Sequence, residues 1–213
     1  MAARTTARNR GSRTTGNSGS HRRAQLLGIA AELFATRGYA ETTVRDIADE
    51  AGILSGSLYH HFSSKEAMLD EILRGFLEQL LERFTAIEKE GESPKGIFDE
   101  LIAYSFATIH AQPYAVALYQ NESAALARQP GFAYVDEIGK KNEELWLRVL
   151  RAGQKSGVFR TDIDVELAYR FIRDTVWASV RWYRPGGRYK SEAVAEQYLS
   201  MLYGGLVVGR PTA

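Results

Sequence analysis

Residues 55–65 read Ser-Gly-Ser-Leu-Tyr-His-His-Phe-Ser-Ser-Lys, with hydroxyls, imidazoles, a phenol and an ammonium and no carboxylate. Small hydroxyl side chains such as Ser55 and Ser57 let a helix sit deep in a major groove. Tyr59 and Lys65 can reach phosphates, and His60 or a serine can touch base edges. A short way upstream, Thr42, Thr43 and Arg45 open another helical stretch, where backbone N–H groups and the helix dipole favour a phosphate. The plainer reading makes Tyr59 and Phe62 core aromatics, which suits Phe62. His60 and His61 do not make a metal site, because adjacent helical residues point apart and no carboxylate or third histidine stands with them. The chain holds no cysteine and four histidines (His21, His60, His61 and His110). That removes thiol chemistry and Cys-based zinc or iron–sulfur sites. No nucleophile elbow and no glycine-rich phosphate loop is present, so no catalytic residues and no cofactor are expected.

A second group of residues suits a small molecule. Along 164–184, Phe171, Ile172, Val176, Val180 and Tyr183 fall on one side of a helical projection. Arg170, Arg173, Asp174, Trp177 and Arg181 fall on the other. A tryptophan among arginines fits a pocket wall, with an aromatic plate for an apolar body and guanidinium groups for an acidic end. A solvated face or an inter-subunit contact is equally open. Candidate partners for such a pocket are Phe76, Leu80, Tyr104, Phe106, Tyr114, Tyr119 and Trp146.

The elements that position these residues read as helices almost throughout. Leu26, Ile29, Ala30, Leu33 and Phe34 have helical spacing over Gln25–Arg37, and Gly38 closes that helix. Thr43 is an N-cap with Asp46 three residues on, a weak form of the capping pattern. Ala51-Gly52-Ile53 allows a tight bend into a third helix over about 55–61. Leu54 stands at that helix start. Ser64 caps a long helix from Lys65 to about Glu90. Further helices are expected at about 95–110, 114–127, 132–155, 164–184 and 190–208, punctuated by Pro113, Pro130-Gly131, Ser156-Gly157 and Pro185-Gly186-Gly187. No strand-like alternation stands out. The fold class is therefore all-α with about nine helices: a basic arm at 1–21, a three-helix unit at 22–63, and a larger body at 64–213.

Length and charge set the frame. The 213 residues carry 27 Lys or Arg against 26 Asp or Glu, a net charge of +1. Arg4, Arg8, Arg10, Arg13, Arg22 and Arg23 lie in the first 23 residues with no acidic side chain. Removing those six from +1 leaves −5, so any nucleic-acid binding is local. The leading segment is too poor in apolar residues to fold alone. It reads as a disordered arm that can also serve beside a DNA-reading unit. No apolar run is long enough for a transmembrane span, and no signal peptide is visible. A reducing cytoplasm is compatible with the missing cysteines.

Three stretches, AAELFATRGYAETTVRDIADEAGI, SLYHHF and SSKEAMLDEIL, together resemble the TetR family of bacterial transcriptional regulators over about residues 24–73. The resemblance implies that Thr43 and Arg45 address phosphates and that Ser55, Ser57, Tyr59 and His60 lie on the recognition helix. It implies that Lys65 caps the backbone contacts. Leu54 departs from the Ser or Thr often found at its position, so the usual cap of the recognition helix is absent.

Dimers set two recognition helices about one DNA turn apart, and the last two helices are the expected interface, with Tyr198, Leu202 and Leu206 on it. The resemblance further implies a four-helix contact between subunits and a small-molecule inducer. The chain is also similar to actinobacterial members that respond to acyl- or steroid-derived thioesters of coenzyme A. Such a ligand would sit against Phe76, Tyr114, Trp146, Arg170, Arg173, Trp177 and Arg181. The expected function is a repressor that binds a palindromic operator as a homodimer and is released by that effector. The alternatives are a ligand-independent architectural DNA binder and an all-helical enzyme acting on acyl thioesters.

Overall fold

The computed structural model describes residues 15–204, and side chains from Gly19 onward. Among the described residues there are nine α-helices and no strand. They are α1 (Thr15–Arg37), α2 (Val44–Glu50), α3 (Ser55–Leu58), α4 (Lys65–Glu90), α5 (Pro94–Ala111), α6 (Pro113–Leu126), α7 (Ala133–Lys155), α8 (Val165–Ala178) and α9 (Ser191–Gly204). Short 3-10 turns cover Pro130–Phe132 and Ser179–Arg181. No helix among them is long and apolar enough to cross a membrane.

The first helix begins ten residues before the expected Gln25, inside the segment read as an arm. Its Ser, Thr, Gly and Asn residues are poor helix formers. Extending an existing helix avoids the nucleation cost, however, so weak formers suffice there. Arg4, Arg8, Arg10 and Arg13 lie outside the described residues. Arg22 and Arg23 are bonded within the folded unit. Arg22 donates to the Ala51 carbonyl at 3.2 Å. Arg23 donates to the His61 carbonyl, pairs with Glu71 and stacks 4.1 Å above the Phe62 ring.

The capping pattern is stronger in the structure than in the sequence. Thr43 and Asp46 form a full capping box at the start of α2. Gly52 then takes a φ of +66° between α2 and α3, a conformation that L side chains rarely adopt. The third helix is shorter than expected, four residues instead of seven, and continues as turns through His61. Leu54 is its N-cap and makes no side-chain capping bond.

Leu26, Ala30 and Phe34 of α1, Ile47 of α2, Leu58 and Phe62 around α3, and Met68, Leu69 and Leu73 of α4 close the small N-terminal core. The same cluster continues down α4 into the body, where α4 packs on α7 and α5 packs on α9. Trp146 sits edge-on between Phe84 at 5.7 Å and Phe98 at 5.9 Å. The expected helix at 164–184 is interrupted. It ends at Ala178, and the 3-10 turn carries the chain to buried Tyr183.

Candidate functional site

The N-terminal unit presents one polar face. Arg45, Ser57, Tyr59 and His60 are exposed on it, and Ser55 is half-buried. Arg45 meets only the exposed carboxylate of Asp49, at 3.7 Å. Thr43 is exposed, but its hydroxyl is already engaged. It accepts from the Asp46 backbone N–H at 3.1 Å and donates to the Asp46 carboxylate at 2.6 Å. The Thr43 hydroxyl, and after it the Thr43 backbone N–H at 2.7 Å, both donate to the Asp46 carboxylate and hold it below its ordinary range. Thr42 is buried and donates to the Gly38 carbonyl at 2.8 Å, so it is a structural residue and not a phosphate ligand.

Lys65 does not face outward with these residues. Its ammonium donates to the backbone carbonyls of Tyr39 at 2.7 Å, Thr42 at 2.8 Å and Ala40 at 3.4 Å. It also lies 4.3 Å from the centre of the Tyr39 ring. An ammonium has three donors, and here each meets a carbonyl of the loop between α1 and α2.

The second group assembles around a cavity of about 300 Å³ enclosed by α4, α5, α6, α7 and α8. Phe76, Trp146, Arg173 and Trp177 all line it, as expected, together with Leu80 and Tyr119. The buried floor is mostly apolar, with Phe84, Ile172 and Val176 beside Trp146. Arg173 and Trp177 stand at the partly exposed rim. Trp177 meets Phe76 edge-on at 6.4 Å, and Phe76 lies 6.0 Å from the Tyr119 ring. The Arg173 Nε–H donates to Asp174 at 2.7 Å, which leaves other guanidinium donors for an anion. Burial pushes the Tyr169 phenol up to about 12, so it stays neutral on the cavity wall.

The other expected lining residues lie elsewhere. Tyr114 and Arg181 line a neighbouring cleft with His110, Tyr183 and Arg184. Tyr114 donates to the Glu32 carboxylate of α1 at 3.1 Å. Arg170 is exposed outside the cavity, and Phe171, expected among the buried apolar residues of its helix, is 65% exposed. The reason is that α8 is apolar on two sides. Tyr169, Ile172 and Val176 face the core, while Leu167 and Phe171, one turn apart, lie opposite them. Tyr104 packs edge-on against Phe84, and Phe106 against Tyr198, so neither lines the cavity. Residues that the sequence pattern does not reveal are Asn142, Ser105, Gln120 and Ser123, all on the cavity wall. No group of three His, Asp or Glu among the described residues is placed to hold a metal ion.

A family model described as "Bacterial regulatory proteins, tetR family" matches residues 26–72, and one described as "Tetracyclin repressor-like, C-terminal domain" matches residues 92–206. The chain belongs to the TetR family. Membership makes it a helix-turn-helix transcriptional regulator and not an enzyme. Among its TetR relatives is the HTH-type transcriptional repressor KstR2 of Rhodococcus jostii (strain RHA1). That protein is 54% identical over 193 residues, which is 91% of this chain and 94% of the relative. The structure described as the ketosteroid transcriptional regulator KstR2 of Mycobacterium tuberculosis is 50% identical. It superposes with a TM-score of 0.84 over 88% of this chain and 96% of that one. A structure of AibR in complex with isovaleryl coenzyme A and operator DNA shares the fold, at 22% identity and a TM-score of 0.74 over 84% of this chain and 97% of that one.

Proposed function

We propose that this chain represses transcription by binding a palindromic operator as a homodimer, and that an acyl- or steroid-derived coenzyme A thioester releases it by entering the body's cavity. The observation that carries the effector reading is the cavity's polarity, a buried aromatic and aliphatic floor with Arg173 and Trp177 at its rim. An apolar acyl body suits the floor. A carbonyl or anionic group suits the guanidinium. The KstR2 relatives carry repressor and ketosteroid regulation in their names, which favours an acyl group of steroid origin. Operator contacts fall to Arg45, Ser55, Ser57, Tyr59 and His60, with Thr43 offering at most its backbone surroundings. Leu167 and Phe171 of α8 and Leu202 of α9 are exposed apolar residues and supply the face for a second copy. Tyr198 supports that face from inside, against Phe106. Leu206 lies outside the described residues. A cytoplasmic location follows from operator binding.

The test is Arg173→Met and Trp177→Leu. Each is expected to leave operator affinity within about twofold and to weaken effector-induced release by roughly tenfold, Arg173→Met through a lost charge-assisted hydrogen bond and Trp177→Leu through lost apolar contact area. Fluorescence anisotropy of labelled operator, titrated with a steroid-ring coenzyme A thioester at fixed salt, reads both quantities. Loss of operator binding by these variants would make α8 scaffold and not sensor.

A further inference from the structure

The cavity floor contains one polar group that the fold leaves unused. Asn142 is 92% buried on α7, one turn from Gly139 and one from Trp146, and all three line the cavity. Its Oδ1 is buried and has no hydrogen-bond partner. Ser105, also buried on the wall, donates its hydroxyl to the Leu101 carbonyl at 2.7 Å, and buried Tyr169 brings a neutral phenol to the same cavity. Arg173 and Gln120, also on the cavity wall, are half-buried. An unpartnered amide oxygen inside an aromatic floor is destabilising. A leucine of similar volume would fill the position without that cost. Gly139 keeps the wall beside it open, because a side chain there would project toward the Tyr119 hydroxyl, 3.8 Å from an added Cβ.

We infer that Asn142 is a specificity-determining residue, and that the effector's buried end carries a hydroxyl that donates to Oδ1. This rests on the reading of the cavity as an effector site and deepens it. The acyl group is then a compact, largely apolar body, anchored at the rim by Arg173 and at the floor by one neutral hydrogen bond. A plain hydrocarbon acyl group would leave the amide unpaired and bind less well. Discrimination of this kind is steep in buried sites, because the wrong ligand strands a polar group instead of merely omitting an attraction.

Two probes separate the possibilities: cyclohexanecarboxyl-coenzyme A and its 4-hydroxy derivative, titrated calorimetrically into the full-length dimer. The native chain should bind the hydroxylated probe about tenfold more tightly. Asn142→Leu should lose or reverse that preference and, by removing a buried unpaired amide, melt at a higher temperature without ligand. If native and variant bind both probes alike while Arg173→Met weakens both, the Asn142 assignment is wrong and the effector site stands. If neither probe binds the native chain, both readings fall together. A lower melting temperature for Asn142→Leu would also overturn the inference, because it would mean that the amide serves the fold.

Discussion

The Lys65 ammonium meets three carbonyls of the loop that leads into α2, and this separates two kinds of basic residue on one small unit. Lys65 holds the loop that carries Thr43 and its capping box. Arg45 is exposed, with only a long approach to Asp49, and such a pair is worth little. The two should answer differently to substitution. Lys65→Met removes charge-assisted hydrogen bonds from a half-buried position and is expected to cost about 1–2 kcal/mol, read as a fall in Tm of several degrees. Assayed well below that Tm, the salt dependence of its operator affinity should match the native chain. Arg45→Ala should leave Tm within about a degree. It should also lower the slope of log affinity against log salt by about 0.9 for each phosphate that the guanidinium neutralises. A reduced slope for Lys65→Met would mean that the ammonium leaves its carbonyls when DNA arrives.

Helices differ in what a single methyl group does to them, and two glycines show it. Gly75 lies in the middle of α4 with nothing within 4 Å of an added Cβ. Gly75→Ala should therefore stabilise the chain by about 0.5–1 kcal/mol, the ordinary helix-propensity gain. Gly153 is buried near the end of α7, and an added Cβ would run into the Phe159 ring. Gly153→Ala should destabilise by about 1–3 kcal/mol through overpacking, despite the same propensity gain. Midpoints of urea unfolding at constant m-value measure both, and equal signs would contradict the packing described around Phe159.

The contrast also shows where sequence reading reaches. Helix ends are legible wherever a local signal marks them: Thr43 with Asp46, Gly52, Ser64 and Pro94 each act within a few residues of themselves. The break after Ala178 has no Gly or Pro to announce it. On α8, one broad apolar side takes in Phe171, but at about 100° per residue that ring stands about 140° from Val176 and lies away from the core. Lys65 and Asn142 are defined by residues far away in the chain, and neither carries a local sign of its partners or of their absence.

At the scale of the whole molecule, the question is how an occupied cavity reaches the DNA-reading face. α4 is the continuous path. It is 26 residues long, roughly 39 Å at 1.5 Å per residue. Lys65 fixes its first turn to the α1–α2 loop, and Phe76, Leu77, Leu80 and Phe84 line the cavity further down. A second connection bypasses it. Tyr114, at the start of α6, donates to Glu32 of α1, and that bond with a carboxylate raises the phenol's pKa. α6 itself carries Tyr119, Gln120 and Ser123 on the cavity wall. A ligand that displaces α6 therefore pulls directly on the helix that supports α2 and α3. Effector and operator then weaken each other by one factor, whichever binds first. Tyr114→Phe removes the bond and leaves the ring in place. Because Tyr114 is exposed and lines the neighbouring cleft and not the cavity, effector affinity in the absence of DNA should change by less than about twofold. The coupling should shrink, by roughly threefold to tenfold, a share of the 1–3 kcal/mol typical of such linkage. Four titrations complete the cycle: effector with and without operator, and operator with and without effector. Both arms must return the same coupling factor for native and variant chains. An unchanged factor in Tyr114→Phe would assign the transmission to α4 alone.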